Sequence, residues 1–213
     1  MMNGVLLGAA QTMTSESLVE KVEAKYAQTK DLQADFTQET RFEGFETGFS
    51  SSGKLYLKKP GLLRWDYLEP SKEQIYVNGD QVMMYVPDHH QVVKGTLTQM
   101  AASKGPLALL QGAGTLSQQF TIVDSSTEPV SDSNPILTLE PKPSGNGAPT
   151  LEKIVLRLMP DTYLIREITL FETSGNISRV AFDHIRVNKG IPLHELKFDV
   201  PSDVVVVEMP VAN

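Results

Sequence analysis

The chain has no cysteine. This excludes disulfides, a thiolate nucleophile, thiolate-bound zinc and a cysteine-borne lipid anchor, and leaves the compartment open. Tryptophan occurs once, at Trp65. The four histidines show no metal-ligand spacing: His89 and His90 adjoin, while His184 and His194 stand apart. No apolar run reaches the roughly 18 residues of a membrane span. Positive charge is the minority, with 19 basic against 26 acidic side chains and a formal charge of −7. That balance argues against nucleic acid or an anionic membrane as a standing partner.

Catalytic signatures are missing as well. There is no H-E-x-x-H and no G-x-S-x-G. Residues 48–54, GFSSSGK, match the start of a P-loop, but Leu55 follows where Ser or Thr must hold magnesium. Ser51 and Lys54 satisfy S-x-x-K, yet they lead into a strand, not a helix. With no nucleophile–base pair, no enzyme, cofactor or metal is expected.

What is present is 213 residues with 40% hydrophobic content, enough for one domain with a core or two small ones. Residues 1–14 are expected to be a disordered remnant. The apolar run Val5 to Ala10 is shorter than the h-region of a signal peptide and has no basic flank. Residues 15–213 are expected to form a single domain.

The organising stretch is Gly53 to Tyr67, GKLYLKKPGLLRWDY. Two alternating runs flank a Pro-Gly turn, which predicts a hairpin. Leu55, Leu57 and Lys59 share one face of the first run. Leu63, Trp65 and Tyr67 share one face of the second. This face predicts a wall of a hydrophobic concavity, with the cation of Lys59 at its rim.

Around it, Leu18, Val22 and Tyr26 recur at helical spacing, predicting a helix over Ser15 to Lys30 capped by Thr14 or Ser15. Leu32, Ala34 and Phe36 then alternate with polar residues as a strand. Asn78-Gly79 predicts a further hairpin. Residues 96–119 break the pattern. They hold short helical pieces with Leu97, Met100, Leu107, Leu109 and Leu110, interrupted by Gly112 and Gly114. Too short to stand alone, these pieces need a surface to lie on, and the apolar sheet face offers one. Strands resume from Phe120 onward, around an exposed loop at 141–149. The pattern predicts a mainly β fold: an incomplete antiparallel barrel of about eleven strands covered by a lid of short helices.

The residues resemble the LolA family of periplasmic outer-membrane lipoprotein carriers. The marks are Phe36-Thr37-Gln38, Ser52-Gly53-Lys54, Lys59-Pro60-Gly61, Arg64-Trp65, Pro70, Asn78-Gly79, Tyr85 with Pro87 and Gln91, Gly105-Pro106-Leu107-Ala108-Leu109-Leu110, Gly175-Asn176, Asn188, and Phe198 with Pro201. Their order and spacing run from about Leu18 to Glu208. The resemblance implies a half-barrel with a helical lid over a hydrophobic cavity. It implies a monomer in the periplasm of a Gram-negative bacterium. Such a protein takes acylated lipoproteins from an inner-membrane ABC-type release complex to an outer-membrane acceptor.

On this reading the lipid-binding residues are Tyr26, Phe36, Leu55, Leu57, Leu63, Trp65, Tyr67, Leu107, Leu109 and Leu110, and Lys59 is the lid latch. The best-studied members carry Arg at the position of Lys59, where it bonds to the lid. Lysine keeps the charge without the planar fork, and its ammonium is expected against lid carbonyls near Gly105 or Gly112. Met83 or Met84 replaces a frequent aromatic. Rival readings are a carrier of other lipids or glycolipids on the same fold, a lipid hydrolase, and a dry, filled scaffold without a ligand.

Overall fold

The computed structural model describes residues 14–97, 99, 109–111, 113–123, 134–142 and 150–209. The alternating runs become one sheet. Its strands are β1 (Asp31–Arg41), β2 (Phe49–Lys58), β3 (Leu62–Glu69), β4 (Glu73–Asn78), β5 (Gln81–Val86), β6 (Gln91–Thr96), β7 (Phe120–Val123), β8 (Ile136–Pro141), β9 (Leu151–Leu158), β10 (Ile165–Glu172), β11 (Ile177–Val187) and β12 (Val205–Glu208). The spatial order is β12-β6-β5-β4-β3-β2-β1-β11-β10-β9-β8-β7. Edge strands β12 and β7 do not meet, so the barrel stays open. Two meanders are joined where β1 pairs with β11, Phe36 facing Phe182 across the pair.

All neighbours are antiparallel except β12, which lies parallel to β6. The expected eleven or so strands are thus twelve among the described residues. Val205 to Val207 are exposed, so no alternation in the sequence signals the partner of this edge piece. Its place is fixed by backbone bonds: the Val205 N–H donates to His90 O at 2.9 Å and the Met209 N–H to Lys94 O at 2.8 Å.

Turn chemistry aligns the central strands. Gly61 and Gly79 have φ of +67° and +62°, which glycine adopts without steric cost. The Gly79 N–H donates to Gly61 O at 2.8 Å, so two neighbouring hairpin turns are tied to each other.

Helix α1 (Ser15–Gln28) is capped by the Thr14 hydroxyl, which accepts from the Ser17 N–H at 3.3 Å. It buries Leu18, Val19, Val22 and Tyr26. It ends at Gln28, not Lys30, because the Thr29 N–H turns back to Tyr26 O at 3.2 Å. Leu97, Gln99 and residues 109–111 are helical, and a four-residue helix, α2 (Leu116–Gln119), follows. Strand β10 starts at Ile165 and not at Tyr163, whose φ of +56° places it in the turn. Residues 1–13 and 143–149, expected as a remnant and a loop, lie outside the described residues.

One sheet face carries the core. Leu32, Ala34 and Phe36 of β1 join Leu55 and Leu57 of β2, Leu63 and Trp65 of β3, and Leu156, Ile168 and Val180 from the far half. The helical residues Leu109, Leu110, Ala113 and Leu116 belong to the same buried cluster. The opposite face is crossed by residues 188–203. That segment is held where Arg64 donates to Glu195 O at 2.9 Å and Lys58 to Ile191 O at 2.6 Å.

Candidate functional site

The site grows from the central hairpin. Trp65 lies opposite Leu55 on β2 and Ile75 on β4, so its ring projects onto the inner face. Phe36 faces Gly53 across β1 and β2. A Cβ on Gly53 would meet Asp66 O at 1.8 Å and the Phe36 ring at 2.8 Å. Only glycine leaves the trough in which that ring lies. Phe36 thereby packs against Trp65 with centroids 4.3 Å apart and meets Tyr67 edge-on at 5.3 Å. Phe182 closes the cluster against Trp65 at 6.1 Å. Such pairs add to the burial of their area.

At one end this wall is shut. The Lys59 ammonium donates to Tyr26 O in the last turn of α1. That carbonyl accepts only the capping Thr29 N–H from the backbone and lies at the negative end of the helix dipole, so a cation is favoured. Burial of the ammonium pushes its pKa down. Gly105 and Gly112, the expected partners, lie outside the described residues. The observed partner is α1 itself, because β2 ends directly beneath that helix: the Lys59 N–H donates to Lys30 O at 2.9 Å. Gln111 reaches Gly61 O at 3.3 Å, and the Ser117 N–H donates to Glu23 Oε1 at 2.7 Å. The covering helical residues are therefore tied to both the hairpin turn and α1.

The other end is open. A cavity of about 470 Å³ is walled by Gln38, Thr40, Phe42, Phe49, Ser51, Tyr67, Glu69 and Glu73 among others. Neutral hydrogen-bonding groups form a band across its floor. Tyr67 OH donates to Gln38 Oε1 at 2.9 Å, and Gln38 Nε2 reaches Ser178 Oγ at 3.2 Å and Thr40 Oγ1 at 3.4 Å. Burial pushes the Tyr67 phenol pKa up, and the Glu73 carboxylate adds to the rise; the Trp65 side chain opposes it weakly. The Trp65 Nε1 itself is buried and meets no partner at hydrogen-bonding geometry. Beyond the band, Phe42, Phe45 and Phe49 stand exposed at the hairpin tip, with Phe42 5.6 Å from Phe49.

Of the residues expected to touch lipid, Phe36, Leu55, Leu57, Leu63, Trp65, Leu109 and Leu110 share one buried cluster. Among the described residues they form a packed interior. Tyr67 packs against that cluster and reaches the mouth. Tyr26 is buried, and its hydroxyl accepts from the Ile165 N–H at 3.3 Å. Leu107 lies outside the described residues. The sequence reading missed Gln38, Thr40 and Ser178 of the polar band, although Gln38 and Thr40 share the inward parity of Phe36. It also missed the Phe42–Phe45–Phe49 group and Phe182.

Residues 27–199 match the family model of the outer membrane lipoprotein carrier protein LolA. The chain belongs to the LolA family. A relative from Methylococcus capsulatus, named outer-membrane lipoprotein carrier protein, is 32% identical over 179 residues, covering 84% of this chain and 82% of its own. One of the same name from Bordetella avium is 28% identical over 190 residues, with 89% and 87% covered. The solved structure of an uncharacterised conserved protein from Thermus thermophilus aligns with a TM-score of 0.55 at 13% identity, covering 92% of this chain and 99% of that one. A DUF1329 family protein from Desulfovibrio piger also aligns at 0.55, with 12% identity, 87% of this chain and 98% of that one covered. At such identities these two share the fold alone.

Proposed function

We propose that this chain carries lipoproteins and shelters their acyl chains on the inner face of its sheet. The route runs across the periplasm, from an inner-membrane ABC-type release complex to an outer-membrane acceptor. The observation that carries the reading is the aromatic wall Phe36–Trp65–Tyr67, which runs from the packed interior out to the mouth. An acyl chain enters past Tyr67 and slides along that wall. Each methylene it buries contributes about 0.8 kcal/mol. Because the interior is filled, the chain displaces Leu109, Leu110 and Leu116 as it enters. Their re-exposure offsets part of the gain, which keeps the cargo deliverable.

Three polar ties resist the opening, from Lys59, Gln111 and Glu23. Each contributes on the order of 1 kcal/mol. The band of Gln38, Thr40, Tyr67 and Ser178 sits where the chain's ester and amide atoms would come to rest. Neutral donors and acceptors suit those atoms better than charges do. The test is native mass spectrometry with a triacylated peptide. A one-to-one complex that forms with the acylated peptide and not with its unacylated twin supports carriage. Equal binding of both, or of neither, contradicts it.

A further inference from the structure

A second cavity, larger than the one at the mouth, lies on the other face of the sheet. It measures about 590 Å³. Its floor is the outer face of β3, β4 and β5, with Leu62, Tyr76 and Met83, and its far wall is the crossing segment, with Leu193, Leu196 and Phe198. The crossing segment is pinned on one side by Arg64 on Glu195 and at its end by Phe198, which stacks on Tyr76 at 4.8 Å and 25°. Between these pins it spans the strands without filling the space. Leu193 stays 53% exposed although it lines the cavity. An apolar side chain left at the opening of an apolar cavity marks a surface made to be covered.

Lys94 and Lys197 also line this cavity. Neither side-chain ammonium has an ion-pair or hydrogen-bond partner among the described residues, in a chain whose formal charge is −7. One carboxylate, Asp199, shares the cavity, so two ammoniums face one acid. Glu208 lies beside Lys94 in the register of β12 with β6 but outside the lining. Within the lining the balance is positive where the protein as a whole is negative, which favours an anionic group.

We propose that this cavity binds a single-chain anionic amphiphile of the fatty-acid class. Its carboxylate sits between Lys94 and Lys197, and its chain lies over Leu62, Tyr76 and Met83 beneath Phe198. A peptide is a poorer fit on chemical grounds. Strands β3, β4 and β5 are each paired on both sides. A peptide laid on them would bury N–H and C=O groups that find no backbone partners, whereas a hydrocarbon chain has none to satisfy. This site is independent of lipoprotein carriage on the inner face, because the sheet separates the two.

Met83 and Met84 are adjacent and point to opposite faces. Met83 lines the outer cavity, and Met84 packs against the inner core. Methyl-labelled methionine therefore reports the two faces separately by NMR, with Met83→Leu and Met84→Leu as assignment controls. Dodecanoate should shift the Met83 methyl. Replacing both lysines, Lys94→Gln with Lys197→Gln, should weaken that response roughly fivefold to tenfold. Dodecanol, which has no charge, should bind both forms alike, and Asp199→Asn should tighten dodecanoate. A Met84 response, where the inner face also takes dodecanoate, should be indifferent to the lysines. No shift at Met83, a shift at Met84 alone, or a Met83 affinity unchanged by the double substitution overturns the site. Failure here with intact acylated-peptide loading leaves carriage standing, and the reverse result leaves this site standing.

Discussion

The ammonium of Lys59 donates its hydrogen bond to the main-chain carbonyl of Tyr26, tying the turn of the central hairpin to the last turn of α1. Two consequences follow from the choice of a backbone acceptor. The tie is indifferent to the side chain at position 26, and it breaks if α1 lifts away from β2. Lys59→Leu removes the donor and adds apolar surface at the closed end. The lost tie is worth at most about 1 kcal/mol, discounted because Lys59 is exposed to water. Loading from the inner-membrane complex should persist, while handover to the acceptor slows. Lys59→Arg should be near neutral. A two-step assay scoring loading and delivery separately checks this, and equal loss of both steps in Lys59→Leu would count against the tie.

Gly53 seats Phe36 against Trp65. Gly53→Ala drives a methyl into Asp66 O and the Phe36 ring, so strands β2 and β3 must part. The expected cost is at least ~2 kcal/mol in urea unfolding. A change under about 0.5 kcal/mol, the range of an indifferent surface substitution, would mean that the trough is not needed.

Tyr26 and Tyr67 supply a pH signature. Burial is the main cause holding both phenols well above the ordinary tyrosine value, and the Ile165 N–H offsets part of the effect at Tyr26. In both cases the folded pKa is raised, so the folded chain keeps protons that the unfolded chain releases above about pH 10. The associated stability is whole below that pH and is lost as pH rises past it. In an alkaline titration these two tyrosines should ionise only as the circular dichroism collapses. Tyr26→Phe and Tyr67→Phe should each remove one late-titrating phenol. Ionisation of all six tyrosines with the fold intact would contradict the burial.

Leu109 is buried in the cover over the inner face. Leu109→Asp places a charge where only apolar groups await it, and the cheapest escape is for the helical cover to lift. Strand circular dichroism should survive, Trp65 emission should move to the red, and acylated-peptide affinity should fall. Global unfolding would instead mean that Leu109 belongs to an indivisible core.

Much of the architecture was legible because alternation is a direct record of which side chains face inward. Leu55, Leu57, Leu63 and Trp65 announced the inner face, and Asn78-Gly79 announced a turn. What was not legible depended on pairs distant in sequence. Gln38 and Ser178 meet because β1 and β11 are neighbours, which no local pattern records. Lys59 could be placed at a rim by parity, but its acceptor on α1 required knowing where that helix ends. The outer cavity needed the crossing segment and the sheet together. Val204 to Val207 could be read as extended, yet nothing in the exposed Val205, Val206 and Val207 names β6 as their partner.

The central claim is that an acyl chain comes to lie along the Phe36–Trp65–Tyr67 wall. Trp65 is only 1% exposed in the closed protein, so loading has no water to remove from it and a blue shift is not the useful signal. Heavy-atom contact is. A peptide acylated with dibrominated chains should quench Trp65 fluorescence strongly at one-to-one loading, while the unbrominated peptide binds equally and leaves the fluorescence nearly unchanged. If the brominated peptide is bound, as counted by native mass spectrometry, and Trp65 is not quenched, the acyl chain does not travel this wall and the account is wrong.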